Sequence, residues 1–268
     1  MALVDPNTAL IVLSTTAKVT SIVKENRKQL FPIYSKLRYW WKNGSTTICI
    51  FGAGGTGKSV LGLLLSGKND FSVSDFASEQ SQSVESYGLP DKSCKLLIPP
   101  GQRSSSPTSW RDALATLIDG SSIGVINVVC AGYRTIRELN LPFEQFRQSS
   151  IDEELKLANE IKQPIINAKK NVWMITLITK QDLWWNKREE VSKHYQEGEY
   201  NKLIEEIRHY RGVNQFSHAY VHISLIIQNL MIGNELVVPT TQGYDQLLQA
   251  ESMYSFRKQL NSFLNNNS

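Results

Sequence analysis

The most informative stretch of this 268-residue chain is Phe51-Gly52-Ala53-Gly54-Gly55-Thr56-Gly57-Lys58-Ser59. It matches the pattern G-x-x-x-x-G-K-[ST], in which a glycine-rich loop wraps phosphate groups. A strand-like run, Thr46 to Phe51, precedes the loop, and the apolar segment Val60 to Leu65 follows it. Strand, glycine loop and helix are the context that the pattern needs, so the stretch predicts a nucleoside triphosphate site. The alternative is a glycine-rich turn that a Lys and a Ser follow by accident.

Each residue type in the loop has a physical task. Glycines accept positive φ and let backbone N–H groups crowd around phosphate oxygens, while the helix that starts near Gly57 directs its positive dipole end at the same anion. Lys58 is the expected charge for the β and γ phosphates, and the Ser59 hydroxyl is the expected Mg²⁺ ligand. The predicted nucleotide-binding residues of this segment are Gly52, Ala53, Gly54, Gly55, Thr56, Gly57, Lys58, Ser59 and Val60.

The bulk composition is that of an ordinary globular protein, with 41% hydrophobic and 20% charged residues. No apolar run approaches the roughly 18 residues of a membrane span, and the start of the chain lacks the basic region of a secretory leader. Cys49, Cys94 and Cys130 each lie in an apolar run without C-x-x-C spacing, which predicts buried thiols in a reducing compartment. We therefore expect a cytoplasmic protein.

Positive charge is concentrated at the start of the chain. Residues 1–45 carry a net charge of +5, which leaves −1 for the remainder of a chain whose total is +4. Residues 7–42 have helical apolar spacing, interrupted at Pro32 and followed by an aromatic patch that includes Trp40 and Trp41. Two interpretations remain open: a helical extension packed on the main domain, or an arm that docks on an acidic partner or an anionic lipid surface. We divide the chain into a basic N-terminal helical extension, 1–45, and a main domain, 46–268.

Strand-like and helix-like segments alternate through the main domain. The predicted strands are 46–51, 83–87, 94–98, 123–130, 171–178 and 219–225. The predicted helices are 60–65, 108–118, a helix that Asp152 opens and Pro164 ends or kinks, one or two helices over 184–208, and 244–264. This alternation predicts an α/β fold of three αβα layers, with a mainly parallel six-stranded sheet and helices on both faces. A ligand is then expected beyond the carboxyl ends of the strands.

A second motif closes the fifth predicted strand. Thr179-Lys180-Gln181-Asp182 resembles the [NT]-K-x-D guanine motif of the Ras-like and translation-factor-like P-loop GTPases, and lies on the strand where that fold carries it. By that resemblance, the Asp182 carboxylate accepts hydrogen bonds from guanine N1–H and the 2-amino group, and the stem of Lys180 lies over the ring. Adenine has an acceptor at N1 and no 2-amino group, so a buried carboxylate discriminates against it.

The resemblance extends to two further places, with departures. Pro100-Gly101-Gln102 is similar to the D-x-[PA]-G-[QH] motif, which implies that the Gly101 N–H meets the γ phosphate and that Gln102 orients the attacking water. Ile98 stands where the family has an acid associated with Mg²⁺, so low metal affinity or low turnover is expected unless a carboxylate such as Asp75 or Glu79 substitutes. After the last predicted strand, Ser224 and Leu225 occupy the place of the short S-A-[KL] motif that braces the base.

Two Ser-rich loops lie where the family has its switches. In the first, residues 67–82, a Ser or Thr is expected to complete the Mg²⁺ shell; Ser78 and Ser81 are the candidates, and Ser81 joins Ser59 as predicted metal ligand. In the second, residues 103–109, Arg103 is a candidate for compensating transition-state charge.

The resemblance implies a GTP-binding switch with GTP and GDP as ligands and Mg²⁺ as cofactor. It would hydrolyse GTP slowly, with Lys58 and Gln102 as catalytic residues, and an effector or regulator protein would read the order of the two loops. The alternatives are a nucleotide-binding adaptor or scaffold with little turnover, motivated by Ile98, and an ATP-dependent P-loop protein. Nucleic-acid binding is not expected, because only the basic arm supports it.

Overall fold

The computed structural model describes residues 46–67, 85–88, 94–101, 107–134, 142–227, 229–232, 235–237 and 243–266. The predicted N-terminal extension, 1–45, lies outside the described residues. Most of the two Ser-rich loops, with the candidates Asp75, Ser78, Glu79, Ser81 and Arg103, also lies outside them, and so does Gln102.

Strands and helices alternate along the described chain. The strands are β1 (Thr46–Phe51), β2 (Glu85–Gly88), β3 (Cys94–Ile98), β4 (Ser122–Val129), β5 (Val172–Ile178), β6 (Phe216–His222), β7 (Leu230–Ile232) and β8 (Glu235–Val237). The helices are α1 (Lys58–Leu65), α2 (Pro107–Asp119), α3 (Phe143–Ile166), α4 (Arg188–Glu197), α5 (Glu199–Arg211) and α6 (Gln246–Asn266).

The main sheet has six strands in the order β2-β3-β1-β4-β5-β6. Five of them are parallel, and β2 pairs antiparallel with β3 at one edge. The predicted α/β fold with a mainly parallel six-stranded sheet is therefore confirmed. The antiparallel pair β7 and β8 forms a separate small sheet that the sequence pattern did not predict.

Helices cover both faces of the sheet. On one face, side chains of α2 to α5, such as Leu117, Ile161 and Ile204, share a buried cluster with Phe51 and Met174. On the other face, Leu61 of α1 and the α6 residues Phe256, Leu260 and Phe263 pack on alternate strand positions. All seven residues of β5 are buried, as expected of a central parallel strand covered on both sides.

Gly124 makes room for the largest side chain in the sheet. It lies opposite Trp173 in the β4–β5 register, and a Cβ on Gly124 would stand 2.0 Å from the Trp173 ring. Trp173 is itself fully buried and stacks on Phe263 of α6 with 5.7 Å between ring centroids. The glycine inside this strand therefore serves packing, because only a residue without a Cβ accommodates the indole.

Two sequence predictions of element bounds are wrong. The last strand was expected over 219–225 but is Phe216–His222, because this edge strand has partly buried Ser217, His218 and Tyr220 and the more apolar Ile223 belongs to the following loop. Helix α3 was expected to begin at Asp152 but begins at Phe143. Its first turns bury Arg147 and Ser150, so apolar periodicity could not reveal them. Pro164 lies inside the last turn of this helix.

His218 predicts a pH dependence of stability. Burial lowers its pKa to about 3, Arg208 adds to the effect, and its Nε2 lies 2.9 Å from the Thr176 hydroxyl. The unfolded chain takes up this proton near pH 6.5, so the free energy of unfolding should fall as pH drops from about 6.5 towards 3, by up to about 1.4 kcal/mol per pH unit from this group. Urea unfolding between pH 7 and 4 gives the free energy of unfolding at each pH. This free energy should fall less steeply with decreasing pH in His218→Gln than in the wild type, whereas equal pH dependences would contradict the assignment.

Candidate functional site

The carboxyl ends of the five parallel strands converge at one edge of the sheet. The glycine loop follows β1, Gly101 lies beyond β3, a turn at residues 130–134 follows β4, Thr179 follows β5, and Ile223 follows β6. Parallel sheets bind ligands at this edge, because the loops there meet in one crevice. The predicted site residues that the structure describes all belong to this edge or to the helix that starts there.

The phosphate loop, Gly52 to Ser59, has positive φ at three of its glycines, Gly52, Gly55 and Gly57, in the backbone region that favours glycine. Gly57 caps α1 with φ of +101°, and Gly52 has φ of +145°. A Cβ on Gly52 would lie 2.3 Å from the Val128 carbonyl oxygen of β4. The loop therefore leaves β1 against the backbone of β4, and the amino end of α1 follows directly after Gly57.

Lys58 is held inside the loop. Its Nζ donates to the Ala53 carbonyl oxygen at 2.7 Å, and the Thr56 hydroxyl donates to the same oxygen at 2.9 Å. The Lys58 side chain is buried, and Ser59 is half-buried beside it at the start of α1. The contact of this ammonium group with a phosphate stays a prediction.

Gly101 touches the phosphate loop. A Cβ on this residue would stand 2.5 Å from Gly54 Cα and 2.7 Å from Lys58 Nζ. The preceding Pro100 is held by the buried Trp110, which donates from Nε1 to the Pro100 carbonyl oxygen at 2.8 Å. Ile98 is 2% exposed in the apolar core, so the position where the family has an acid contributes no carboxylate.

Thr179 joins the second motif to the phosphate loop. Its hydroxyl lies 2.7 Å from the Thr56 carbonyl oxygen and 3.0 Å from that of Val129, and its N–H donates to Val129 at 2.7 Å. Thr179 is buried, so these are bonds made away from water. Thr179 therefore ties the strand end of β5 to the loop after β1 and to the end of β4.

Asp182 and Ser224 come together from different strand ends. The Ser224 hydroxyl is 2.7 Å from Asp182 Oδ1, and both residues are buried, with Asp182 1% exposed. Leu225 reaches the phosphate loop, since its Cδ1 lies 3.2 Å from the position of a Cβ on Gly57. The predicted base residues thus lie in one group beside the predicted phosphate residues, although their contacts with a nucleotide stay predictions.

Lys180 has the backbone conformation that turns the chain into this group. Its φ of +58° is unusual for a residue with a side chain, and its carbonyl oxygen accepts the Leu183 N–H at 2.9 Å. Burial lowers the pKa of the Lys180 ammonium, and Cys130 and Asp182 oppose that shift. The tight turn brings Asp182 back towards Ser224.

The structure adds residues that sequence reasoning did not assign to the site. Trp184, two residues after the T-K-x-D motif, donates from Nε1 to the Thr179 carbonyl oxygen at 2.8 Å. Gln249 of α6 donates to the carbonyl oxygens of Ser224 and Leu225, each at 3.2 Å. Arg134 donates to the Gly54 carbonyl oxygen at 2.7 Å. The place of Trp184 next to the T-K-x-D motif was a usable signal, while Arg134 and Gln249 have none in the local sequence.

The described residues hold no group of three or more His, Cys, Asp or Glu side chains that could bind a metal ion. Of the two predicted ligands, Ser59 lies at the start of α1, and Ser81 lies outside the described residues.

The glycine loop between a central parallel strand and a helix, at the carboxyl edge of a sheet with helices on both faces, is the arrangement that defines the P-loop fold. The predicted resemblance of the fold to the P-loop GTPases is confirmed. No family model and no curated protein matches this sequence.

Several solved structures are similar in fold. One is the SRb-GTP/SRX complex of the signal recognition particle receptor from Chaetomium thermophilum, with 13% identity, TM-score 0.42, and 72% of this chain and 95% of that chain covered. Another is the small COPII coat GTPase SAR1 from Encephalitozoon cuniculi in complex with GDP, with 14% identity, TM-score 0.35, and coverage of 94% and 99%. A third is Methanosarcina barkeri Roco2 RocCORdC bound to GDP, with 14% identity, TM-score 0.39, and coverage of 82% and 49%. Likenesses at this level assign no function to this chain.

Proposed function

We propose that this protein is a guanine-nucleotide-binding switch that hydrolyses GTP slowly to GDP. The observation that supports it most is the buried Asp182 carboxylate, held by the Ser224 hydroxyl at 2.7 Å. It lies on the same strand end as Thr179, whose hydroxyl is 2.7 Å from the phosphate loop at Thr56. Thr179 links the proposed base-binding carboxylate to the proposed phosphate loop. The two would therefore suit the base and the phosphates of a single nucleotide.

The base selectivity follows from hydrogen-bond chemistry. A buried carboxylate accepts hydrogen bonds and donates none, and guanine offers N1–H and the 2-amino group as donors. Adenine would place an acceptor against the carboxylate and leave a buried charge unsatisfied, which costs several kcal/mol. Asp182 should therefore select GTP over ATP.

The phosphates would be bound by the loop N–H groups, the dipole of α1 and the Lys58 ammonium. Ser59 is the described residue that would hold Mg²⁺, with Ser81 as the second proposed ligand. When bound, Mg²⁺ would supply positive charge to the phosphates. Lys58 and Gln102 are the proposed catalytic residues: Lys58 neutralises phosphate charge, and Gln102 orients the attacking water.

The wild-type protein should bind GTP and GDP at least 100-fold more tightly than ATP and ADP. The competition is measured by displacement of a fluorescent GDP analogue at fixed Mg²⁺, once any nucleotide retained on purification has been identified and removed. Equal affinity for guanine and adenine nucleotides would remove the guanine assignment and favour the ATP-dependent alternative.

The second candidate function is nucleotide binding with little or no turnover. The buried Ile98 favours it, because Ile98 stands where the GTPase motif has an acidic residue. Single-turnover hydrolysis of GTP at saturating Mg²⁺ separates the two. A wild-type rate no faster than that of Lys58→Ala would make the protein a nucleotide-binding adaptor or scaffold and not an enzyme.

In the proposed switch, the γ phosphate orders the two Ser-rich loops. An effector or regulator protein then binds the ordered loops. We also infer a nucleotide-binding domain over 46–268 and a separate basic extension over 1–45, which could touch an anionic membrane surface or an acidic partner. Among the described helices, none is both long enough and apolar enough to span a membrane.

A further inference from the structure

Arg134 follows β4 and reaches back to the phosphate loop. Its Nε donates to the Gly54 carbonyl oxygen at 2.7 Å, and its Nη1 pairs with the Glu153 carboxylate on α3. The Arg134 side chain is 14% exposed, so the guanidinium is largely shielded from water. A guanidinium carries five N–H donors, so two bonds leave donors for a phosphate oxygen.

The turn that carries Arg134 is held in a strained conformation. Ala131 has φ of +53° and is followed by Gly132 with φ of +83°. Buried groups hold the turn there: the Glu154 carboxylate accepts the Cys130 N–H at 2.9 Å, and the Tyr195 hydroxyl accepts the Ala131 N–H at 3.0 Å. Strained turns that their surroundings over-determine concentrate at functional sites. This turn limits where the Arg134 side chain can reach.

Gly54 lies next to the place expected for the terminal phosphate. Gly54 Cα and Lys58 Nζ stand 2.5 Å and 2.7 Å from the position of a Cβ on Gly101, so the three residues meet at one point. Lys58 and Gly101 are the predicted contacts of the γ phosphate. Arg134 brings a second cation to the same residues, from a part of the chain outside both Ser-rich loops.

We propose that Arg134 stabilises the transition state of GTP hydrolysis as an arginine supplied by the chain itself, with Glu153 orienting it. This inference rests on the proposed function. In the step, a water oxygen bonds to the γ phosphorus, and the bond to the bridging oxygen breaks with its electron pair left on GDP. One water proton stays on the new P–OH group and the other passes to solvent. A guanidinium compensates the negative charge of this transition state, and such arginines accelerate hydrolysis by about 10³ to 10⁵-fold.

The test compares Arg134→Ala and Arg134→Lys with Arg208→Ala, a control that loses an exposed ion pair to Glu205 within α5. For each protein, we would measure the affinity for GDP, the affinity for GDP with aluminium fluoride as a transition-state mimic, and the single-turnover rate with GTP. Arg134→Ala should lose at least 100-fold in rate and in affinity for the mimic while its affinity for GDP changes less than threefold. Arg134→Lys should recover part of both losses.

The outcomes are distinct. If Arg134 only braces the loop, its loss lowers the affinity for GDP and for the mimic by the same factor, and the proposal is overturned. If the wild type hydrolyses GTP and Arg134→Ala does so equally fast, this role fails while the proposed function stands. If the wild type is no faster than Lys58→Ala and does not bind the mimic more tightly than GDP, both the turnover and the role of Arg134 are removed.

Discussion

Asp182→Asn should transfer the base preference of this protein from guanine to xanthine. The exchange keeps the shape of the side chain but replaces one acceptor by an N–H₂ donor, which repels the guanine 2-amino group and suits the C2 carbonyl of xanthine. Hydrogen bonds to a charged group contribute about 1.5 to 3 kcal/mol each, so losing two should weaken GDP binding by about 100-fold or more. Displacement titrations with GDP, XDP and ADP measure the change.

Asp112→Asn is the matched control for this experiment, because Asp112 is exposed on α2 and the same atoms are exchanged there. Its nucleotide affinities should equal those of the wild type. An Asp182→Asn protein that keeps its fold and prefers GDP to XDP by the wild-type ratio would rule out Asp182 as the base-reading residue. Circular dichroism shows whether the fold is kept.

Much of this fold could be predicted because its central strands are covered on both faces. Such strands are near-continuous apolar runs, so β1, β4 and β5 were recognisable from the sequence within one residue at either end. The edge strand β6 was misplaced, since its partly exposed faces carry Ser, His and Tyr. The start of α3 was missed because the helix buries Arg147, which pairs with Glu190 at 2.8 Å. Burial of a charged residue depends on its partner, and that partner is remote in sequence.

The candidate site likewise has one part that the sequence predicts and another that only the fold brings together. The phosphate loop and the T-K-x-D segment are local patterns with local physical reasons, so their place at one edge of the sheet followed once the strands were assigned. The hydrogen bond from Arg134 to Gly54 joins residues 80 positions apart and needs the strained turn at Ala131. No periodicity or spacing encodes such a contact. It appears only when β1 and β4 are placed side by side.

Gly52→Ala should abolish nucleotide binding and lower the thermal stability. The substitution adds a Cβ 2.3 Å from the Val128 carbonyl oxygen at a residue with φ of +145°. The backbones of Gly52 and Val128 cannot easily move apart, because the preceding residues Phe51 and Asn127 are paired in the β1–β4 register. Backbone strain of about 1 to 3 kcal/mol and overpacking of about 1 to 3 kcal/mol should both appear as a lower free energy of unfolding. Displacement of the loop should weaken GDP binding by at least 100-fold.

Two control variants separate the causes of this loss. Gly212→Ala introduces the same kind of strain at φ of +78°, but no atom lies within 4 Å of its Cβ, so it should cost stability through strain alone and leave GDP affinity unchanged. Lys58→Ala removes the charge without a clash, so it should weaken phosphate binding while the melting temperature stays closer to that of the wild type. If Gly52→Ala bound GDP as the wild type does, the loop would tolerate a shift of its first residue. The close contact between β1 and β4 would then not be what shapes the phosphate site.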